Sequence, residues 1–275
     1  MDLIPLGQLI RIEETRNYKF HAARKNDQGV EPLDVFVRDR EEWLGWNRWR
    51  NPRNEFNREF VFSLIDFYPE NARWLFGGIY RILERKSVAG AGGYVIEEVS
   101  EYSNLVGRLK IQMPKPSRGR SFLLEKHYDK MVIDEILREP YSGALFPGFE
   151  NIIVSFHELD AIIRTEKPDW KAALSGVKGV YCIHDLCDGR KYIGSAYGET
   201  GIWSRWSQYV YSGHGGNAEL RGLVAEKGME HVRNQFQFSL LEFHPATADD
   251  HYIRNRESHW KRLMLSQGDF GYNAN

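Results

Sequence analysis

The stretch from Gly179 to Gly194, GVYCIHDLCDGRKYIG, is the feature that most constrains the fold of this chain. Two short runs of strand-forming residues flank the dipeptide Asp188-Gly189, which is a strong signal for a two-residue hairpin turn. A turn at this dipeptide places Tyr192 across from Asp185. Residues paired across two strands share a face of the sheet, so Tyr181 and Tyr192 are predicted to point the same way. A register shift of two residues would not change this prediction.

Two triplets of the hairpin are recognisable together. Gly179-Val180-Tyr181 followed by Tyr192-Ile193-Gly194 resembles the paired signature of the GIY-YIG nuclease superfamily, with Val in place of Ile in the first triplet. The resemblance covers roughly the last third of the chain. It implies a three-stranded antiparallel sheet flanked by helices, and a restriction-endonuclease-like cleavage activity.

The rest of the chain predicts an α+β protein of two domains. A length of 275 residues suits about two domains, and a loss of periodicity near residue 170 puts the boundary there, giving 1–170 and 171–275. Short strands are expected at Leu33–Val37, Phe60–Phe67 and Trp74–Leu83, among others. With few helices between them, they favour a β-rich, barrel-like N-terminal domain. Helices are expected near Glu41–Trp49 and Phe122–Leu137.

Composition narrows the class of protein. No stretch approaches the ~20 apolar residues of a membrane span, and the N-terminus lacks a basic region followed by an apolar run. We therefore expect a soluble, cytoplasmic protein with no membrane partner. The two cysteines, Cys182 and Cys187, are too few for a zinc site and are interpreted as small apolar residues.

The segment after the hairpin predicts a helix over Thr200–Ser212, with Thr200 as its N-cap. Arg205 and Tyr209 are four residues apart and share one edge of its apolar stripe, where they can face a cleft beside the sheet. A helical arginine of this kind, with an aromatic or His four residues later, is what the resemblance implies for the active site. His214, in the following glycine-rich turn, can either reach a phosphate or lie exposed to solvent.

The end of the chain predicts a third strand over Phe236–Phe243 and a final helix beginning at Thr247. On that helix Glu257 falls among the apolar positions, and a buried carboxylate needs a cation or several hydrogen bonds. The alternative is a carboxylate at the rim paired with a neighbouring arginine. The resemblance implies that Glu257 is the metal ligand and that Asn273 buttresses the site.

These residues suggest how a phosphodiester bond is hydrolysed. Glu257 can hold one hard divalent ion, Mg²⁺ or Mn²⁺, and Arg205 offers a planar charged fork for a phosphate oxygen. Tyr181 is the candidate base, which requires either a lowered pKa or proton transfer through Tyr209. Tyr192 would orient the water or the phosphate. These roles are what the resemblance implies.

The N-terminal part contains two candidate DNA contacts. Trp43, Trp46 and Trp49 recur every third residue, which predicts either a helix face packed in the core or a set of surfaces that stack a flipped base. Residues 108–130 carry seven Lys or Arg against two acids, among them Lys115, Arg118 and Arg120. This basic segment is either a phosphate contact or an ordinary solvated loop.

Three functions are compatible with these features, all with double-stranded DNA as partner. The first is a restriction-type endonuclease, with a PUA-like or SRA-like N-terminal domain that reads modified cytosine. A sequence-specific, type II-like enzyme is a variant of this first function. The second function is a repair or mobile-element nuclease that cleaves particular DNA structures or sites. A non-catalytic nucleic-acid-binding protein on a nuclease scaffold is the third. Cleavage of both strands with one site per chain suggests either a homodimer or two sequential nicks.

Overall fold

The computed structural model describes residues 3–86, 93–198 and 201–274, and the chain forms two compact units, Met1–Ser142 and Gly143–Asn275. The division lies ahead of the boundary predicted near residue 170. The difference arises because the segment Ile153–Ser155 pairs with a strand of the C-terminal sheet, so it belongs to the C-terminal unit rather than to the N-terminal one.

The N-terminal unit contains eight strands and two α-helices among its described residues. The strands are β1 (Ile4–Pro5), β2 (Tyr18–Ala23), β3 (Phe60–Asp66), β4 (Arg73–Arg85), β5 (Tyr94–Glu98), β6 (Leu109–Gln112), β7 (Ser121–Leu123) and β8 (Val132–Ile136). The helices are α1 (Pro32–Arg38) and α2 (Arg40–Arg48), the second capped by the Asp39 carboxylate on the amides of Glu41 and Glu42.

These strands form one open sheet in the order β1-β8-β6-β4-β3-β2-β7, with β5 paired to β4. The pairing of β2 with β3 is parallel and the other pairs are antiparallel. The expectation of a barrel-like domain is therefore wrong for the described residues: β1 and β7 end the sheet and do not pair with each other. The β-rich character is confirmed, and the helix predicted at Glu41–Trp49 appears as α2.

The C-terminal unit contains a four-stranded sheet with helices on both faces. Its strands are β9 (Ile153–Ser155), β10 (Val177–Asp185), β11 (Lys191–Ala196) and β12 (Phe236–Pro245), in the order β11-β10-β12-β9. Its helices are α3 (Phe156–Arg164), α4 (Pro168–Ser175), α5 (Gly201–Ser212), α6 (Ala218–Gln235) and α7 (Asp250–Leu263). The three predicted strands pair antiparallel as expected, and β9 adds a fourth at the edge.

The hairpin of β10 and β11 keeps the predicted parity but shifts its register by two. Tyr192 lies opposite Ile183, not Asp185. The turn is longer than two residues because the Asp185 carboxylate is buried and accepts hydrogen bonds from the Cys187 amide, His231 and Tyr272. These contacts fix the end of β10 and leave the next residues to form a wider turn.

The two faces of this sheet bury different residues. Tyr181, Ile183 and Tyr192 belong to the large core that includes residues of α3 and α5. Val180, Cys182 and Ile193 form a smaller cluster on the other face, against which Trp260 and Met264 at the end of α7 pack. The alternation along β10 and β11 follows directly from the period of two in a strand.

Candidate active site

Three side chains of the C-terminal unit form a cluster around one guanidinium. Arg205 Nε donates to the Tyr181 hydroxyl at 2.9 Å, and Arg205 Nη2 donates to the Tyr209 hydroxyl at 3.2 Å. The two hydroxyls are 3.0 Å apart, within hydrogen-bond distance of each other. These two hydrogen bonds to phenolic oxygens fix the orientation of the guanidinium.

Helix α5 positions this cluster because Arg205 and Tyr209 are one turn apart and face β10. Arg205 Nη1 also donates to the carbonyl of Gly215 at 2.6 Å and to Gln208 at 2.9 Å. Gly215 lies against the Tyr209 ring with a φ of +52°, a conformation that favours glycine. The turn after α5 therefore fixes the arginine from the side away from the sheet.

Burial decides the protonation state of two of the phenols. It raises the pKa of Tyr181 well above its ordinary value, Tyr192 adds to the increase, and the opposing effect of Arg205 does not offset them. The pKa of Tyr209 is raised for the same reason. The lowered pKa that a base role for Tyr181 requires is not what the structure gives: both phenols are neutral at physiological pH.

Glu257 reaches the same region from α7, on the other face of the sheet. Its Oε2 accepts a hydrogen bond from the Ser195 hydroxyl, and its Oε1 is 2.6 Å from Lys261 Nζ, one helical turn away. The side chain is 16% exposed. Glu257 therefore lies between the two predicted environments: it is only partly buried, and its ionic partner is Lys261 and not an arginine.

Glu257 and Arg205 meet at an open cleft of about 300 Å³ beside the edge strand β11. The cleft is lined by Tyr192, Ser195, Ala196, Tyr197, Gly201, Ser204, Arg205, Gln208 and Glu257. Tyr192 is the phenol of the motif that lines it, whereas Tyr181 and Tyr209 are fully buried behind it. A guanidinium, a phenol and a carboxylate therefore surround one cavity large enough for a phosphate group.

The donor set fits one kind of metal site. No group of three or more His, Cys, Asp or Glu side chains in the described residues is arranged to hold a metal ion. Mg²⁺ does not need one, since it keeps several waters and uses one or two carboxylates with substrate phosphate oxygens. Both Glu257 oxygens already have partners, so a divalent ion would share the carboxylate with Ser195 or replace Lys261 at it. Among the described residues this suits a single hydrated ion and not a metal enclosed by protein ligands.

Asn273 lies at the end of the chain against β11. Its side-chain oxygen accepts from the Ile193 amide and its Nδ2 donates to the Ile193 carbonyl, both at 2.8 Å. The amide side chain thus takes the place of a neighbouring strand at the edge of the sheet. This placement holds Ile193, the centre of the YIG triplet, in position.

The three tryptophans predicted to contact DNA occupy three different environments. Trp43 is buried and donates to the Gly77 carbonyl at 3.1 Å, which makes it a core residue rather than a stacking surface. Trp46 is partly buried against the same core. Trp49 is 52% exposed, and the Arg120 guanidinium lies 4.1 Å from its ring centroid.

The basic side chains predicted within residues 108–130 also differ in their environments. Lys115 forms an ion pair with Asp66 at 2.6 Å, and Arg120 forms one with Glu55 at 2.8 Å. Arg118 is exposed. Two of the three predicted phosphate contacts are thus engaged within the N-terminal unit, which favours their structural interpretation.

His214 and Thr200 complete the predicted set. His214 Nδ1 accepts from the Gly216 amide at 2.9 Å, so this ring stabilises the turn after α5. Thr200 lies outside the described residues. The sequence-based reasoning missed Ser195, Tyr197, Gln208 and Lys261. Ser195 is the one with a recognisable signal, since the alternation after Ile193 puts it on the α7 face.

No protein-family model and no curated protein matches the chain. Among solved structures, the chain is similar to the catalytic domain of the homing endonuclease I-TevI, at 26% identity over 36% of this chain and 98% of that domain, with a TM-score of 0.28. A mutant of the catalytic domain of intron endonuclease I-TevI is similar at 26% identity over 35% of this chain and 92% of that one, also with a TM-score of 0.28. No described helix is long and apolar enough to cross a membrane.

Proposed function

We propose that the C-terminal unit is a DNA endonuclease of the GIY-YIG type that hydrolyses phosphodiester bonds with one divalent metal ion. The observation that carries the proposal is the shared cleft: Arg205, Tyr192 and Glu257 line it together. Phosphodiester hydrolysis needs positive charge on the phosphate, a positioned water and a stabilised leaving oxygen. The cleft has a group suited to each need.

Arg205 is the phosphate-binding residue in this proposal. Its guanidinium is permanently charged and is held by Tyr181 and Tyr209 before substrate arrives. Preorganised charge stabilises a transition state without reorganisation at the moment of reaction. The neutral phenols of Tyr181 and Tyr209 act through Arg205 as positioning groups, and a hydrogen bond joins their two hydroxyls.

Tyr192 and Glu257 act on the other reactants. Tyr192 lines the cleft, where its hydroxyl can orient the attacking water or a phosphate oxygen. Glu257 would hold Mg²⁺ or Mn²⁺, and the ion would supply charge neutralisation on the phosphate and lower the pKa of bound water. Ser195 and Lys261 hold the carboxylate in place.

For the N-terminal unit we propose target selection in a restriction-type enzyme, with modified cytosine as the preferred target. Its support is the separate N-terminal unit and the exposed ring of Trp49. A sequence-specific type II-like enzyme and a repair or mobile-element nuclease are the alternatives. We further propose cytoplasmic action on double-stranded DNA, and a homodimer where both strands are cut.

The test is cleavage of plasmids that are unmodified, methylated or hydroxymethylated at cytosine, with Mg²⁺ or Mn²⁺ present. We expect cutting that disappears in EDTA and in Glu257→Gln, while DNA binding by that variant persists. Glu230→Gln, an exposed residue of α6, is the matched control and should cut normally. Cutting that is equal on all three plasmids would reject modification dependence, and undiminished cutting by Glu257→Gln would reject the metal-ligand assignment.

A further inference from the structure

An exposed aromatic side chain stands at the rim of the cleft. Tyr197 directly follows β11, lines the cleft together with Tyr192 and Glu257, and is 47% exposed. At this exposure the ring contributes little to the core, so packing does not explain its place beside a phosphate-sized cavity. Its placement beside Glu257 and Arg205 instead suits contact with a substrate.

The ring is held in place from α7. The guanidinium of Arg254 lies 5.3 Å from the Tyr197 ring centroid, and Arg254 Nε donates to the Asp250 carbonyl at 3.4 Å. The backbone after Tyr197 is fixed as well, since the Gly198 amide donates to the Asp250 carboxylate at 3.3 Å. The helix that supplies Glu257 therefore also positions Tyr197.

An arginine beside an exposed aromatic ring provides two contacts that suit a nucleic acid. A nucleobase stacks on an aromatic face, and the phosphate of the same strand is attracted by the guanidinium. Because Arg254 is exposed beside the ring of Tyr197, and Tyr197 lines the cleft, the pair offers both contacts next to the cleft. A small anionic substrate would need the charge but not the ring.

We infer that Tyr197 and Arg254 form a nucleobase-stacking subsite, which binds a base adjacent to the phosphate in the cleft. This inference rests on the proposed function and specifies how that site holds its DNA. The subsite selects for a stackable base at one position of the substrate strand. It has no part in the bond cleavage itself.

The experiment compares Tyr197→Ala and Tyr197→Phe with a matched control, Tyr211→Ala. Tyr211 is 65% exposed and also has an arginine beside its ring, Arg164, but it lies outside the residues that line the cleft. We expect Tyr197→Ala to raise the KM for duplex cleavage about 10-fold with little change in kcat. Tyr197→Phe and Tyr211→Ala should behave like the wild type.

Abasic substrates separate stacking from a structural effect. Removing one base at a time on either side of the cut should weaken wild-type binding at one position, and at that position Tyr197→Ala should lose nothing further. Tyr197→Ala and base removal that are additive at every position would overturn the subsite while leaving the nuclease intact. Wild-type protein that neither cuts nor binds duplex DNA would reject the proposed function, and the subsite with it.

Discussion

Gly194 lies directly opposite Tyr181 in the pairing of β10 with β11, and a Cβ on Gly194 would overlap the Tyr181 hydroxyl. The phenol uses the space that a side chain would occupy to reach Arg205. The triplet Tyr192-Ile193-Gly194 therefore ends in glycine because Tyr181, the last residue of the first triplet, lies over that position. Gly179 has a comparable reason, since a Cβ there would overlap the Glu242 carbonyl of β12.

Gly194→Ala should consequently disable cleavage without unfolding the unit. The added methyl group displaces the Tyr181 ring, and a misplacement of about 1 Å in a positioned group costs of the order of 100-fold in rate. Single-turnover cleavage measures the loss, and circular dichroism checks the fold. Gly222→Ala, at a helical position with no neighbouring atom within 4 Å of the added carbon, is the control and should retain full activity. Equal activity of both variants would mean that the Tyr181 position is unimportant.

The sequence predicts the cluster of Tyr181, Arg205 and Tyr209 well, because each position follows from local periodicity. Strand parity puts Tyr181 on the α5 face, and a four-residue spacing puts Arg205 and Tyr209 on one side of α5. Periodicity predicts which face a side chain lies on, but it does not predict how deeply that side chain is buried. Tyr181 and Tyr192 share a face, yet Tyr181 is fully buried and Tyr192 reaches the cleft, a difference that depends on the edge position of β11.

Tertiary pairing explains where the predicted elements were wrong. The helix expected over Phe122–Leu137 is replaced by β7, two short 3-10 turns and β8, because its two ends pair with β2 and β6. The Leu33–Val37 run, expected as a strand, forms α1 after Pro32 at the first helical turn. In the first case, pairing with strands distant in sequence overrides the local helix propensity. In the second, a helix-start signal overrides the local strand propensity.

We expect His21 to make the N-terminal unit sensitive to acid. Its ring is buried against Asn47 and Ser63, and burial, with a contribution from Arg120, lowers its pKa from 6.5 to about 3. Between about pH 6.5 and about pH 3 the unfolded state binds a proton at His21 that the folded state does not bind. The free energy of unfolding therefore falls as the pH drops through this range. The expected slope is about 1.4 kcal/mol per pH unit in that window.

Urea unfolding from about pH 7 to about pH 4 measures this slope in the wild type and in His21→Gln. The substitution should lower stability at neutral pH and flatten the dependence on pH. His251→Gln, at an exposed position of α7, should leave the slope unchanged. An equal slope in the wild type and His21→Gln would show that the buried imidazole does not control the acid response.

Asn273→Ala should destabilise the C-terminal unit by about 2 kcal/mol, because it leaves the amide and carbonyl of buried Ile193 without partners. The change is read from the urea midpoint at constant m-value. Asn255→Ala removes an amide from the exposed surface of α7 and should shift the midpoint little. A midpoint for Asn273→Ala equal to that of Asn255→Ala would mean that the tail does not stabilise β11.

Phenylalanine substitutions at Tyr181 and Tyr192 should separate positioning from contact with substrate. Tyr181→Phe removes the oxygen that accepts from Arg205 Nε, so we expect lower stability together with slower cleavage. Tyr192→Phe removes a hydroxyl from the cleft, so we expect slower cleavage with an unchanged urea midpoint.

The dependence on pH tests the protonation state assigned to Tyr181. Because the folded pKa of Tyr181 lies above the unfolded value of 10.0, its protonated phenol stabilises the fold below about pH 10, and that contribution is lost as the pH rises above it. Absorbance of the phenolate should show no ionisation of Tyr181 until the protein unfolds in alkali. An ionisation near neutral pH that disappears in Tyr181→Phe would reverse the assignment and make Tyr181 the base.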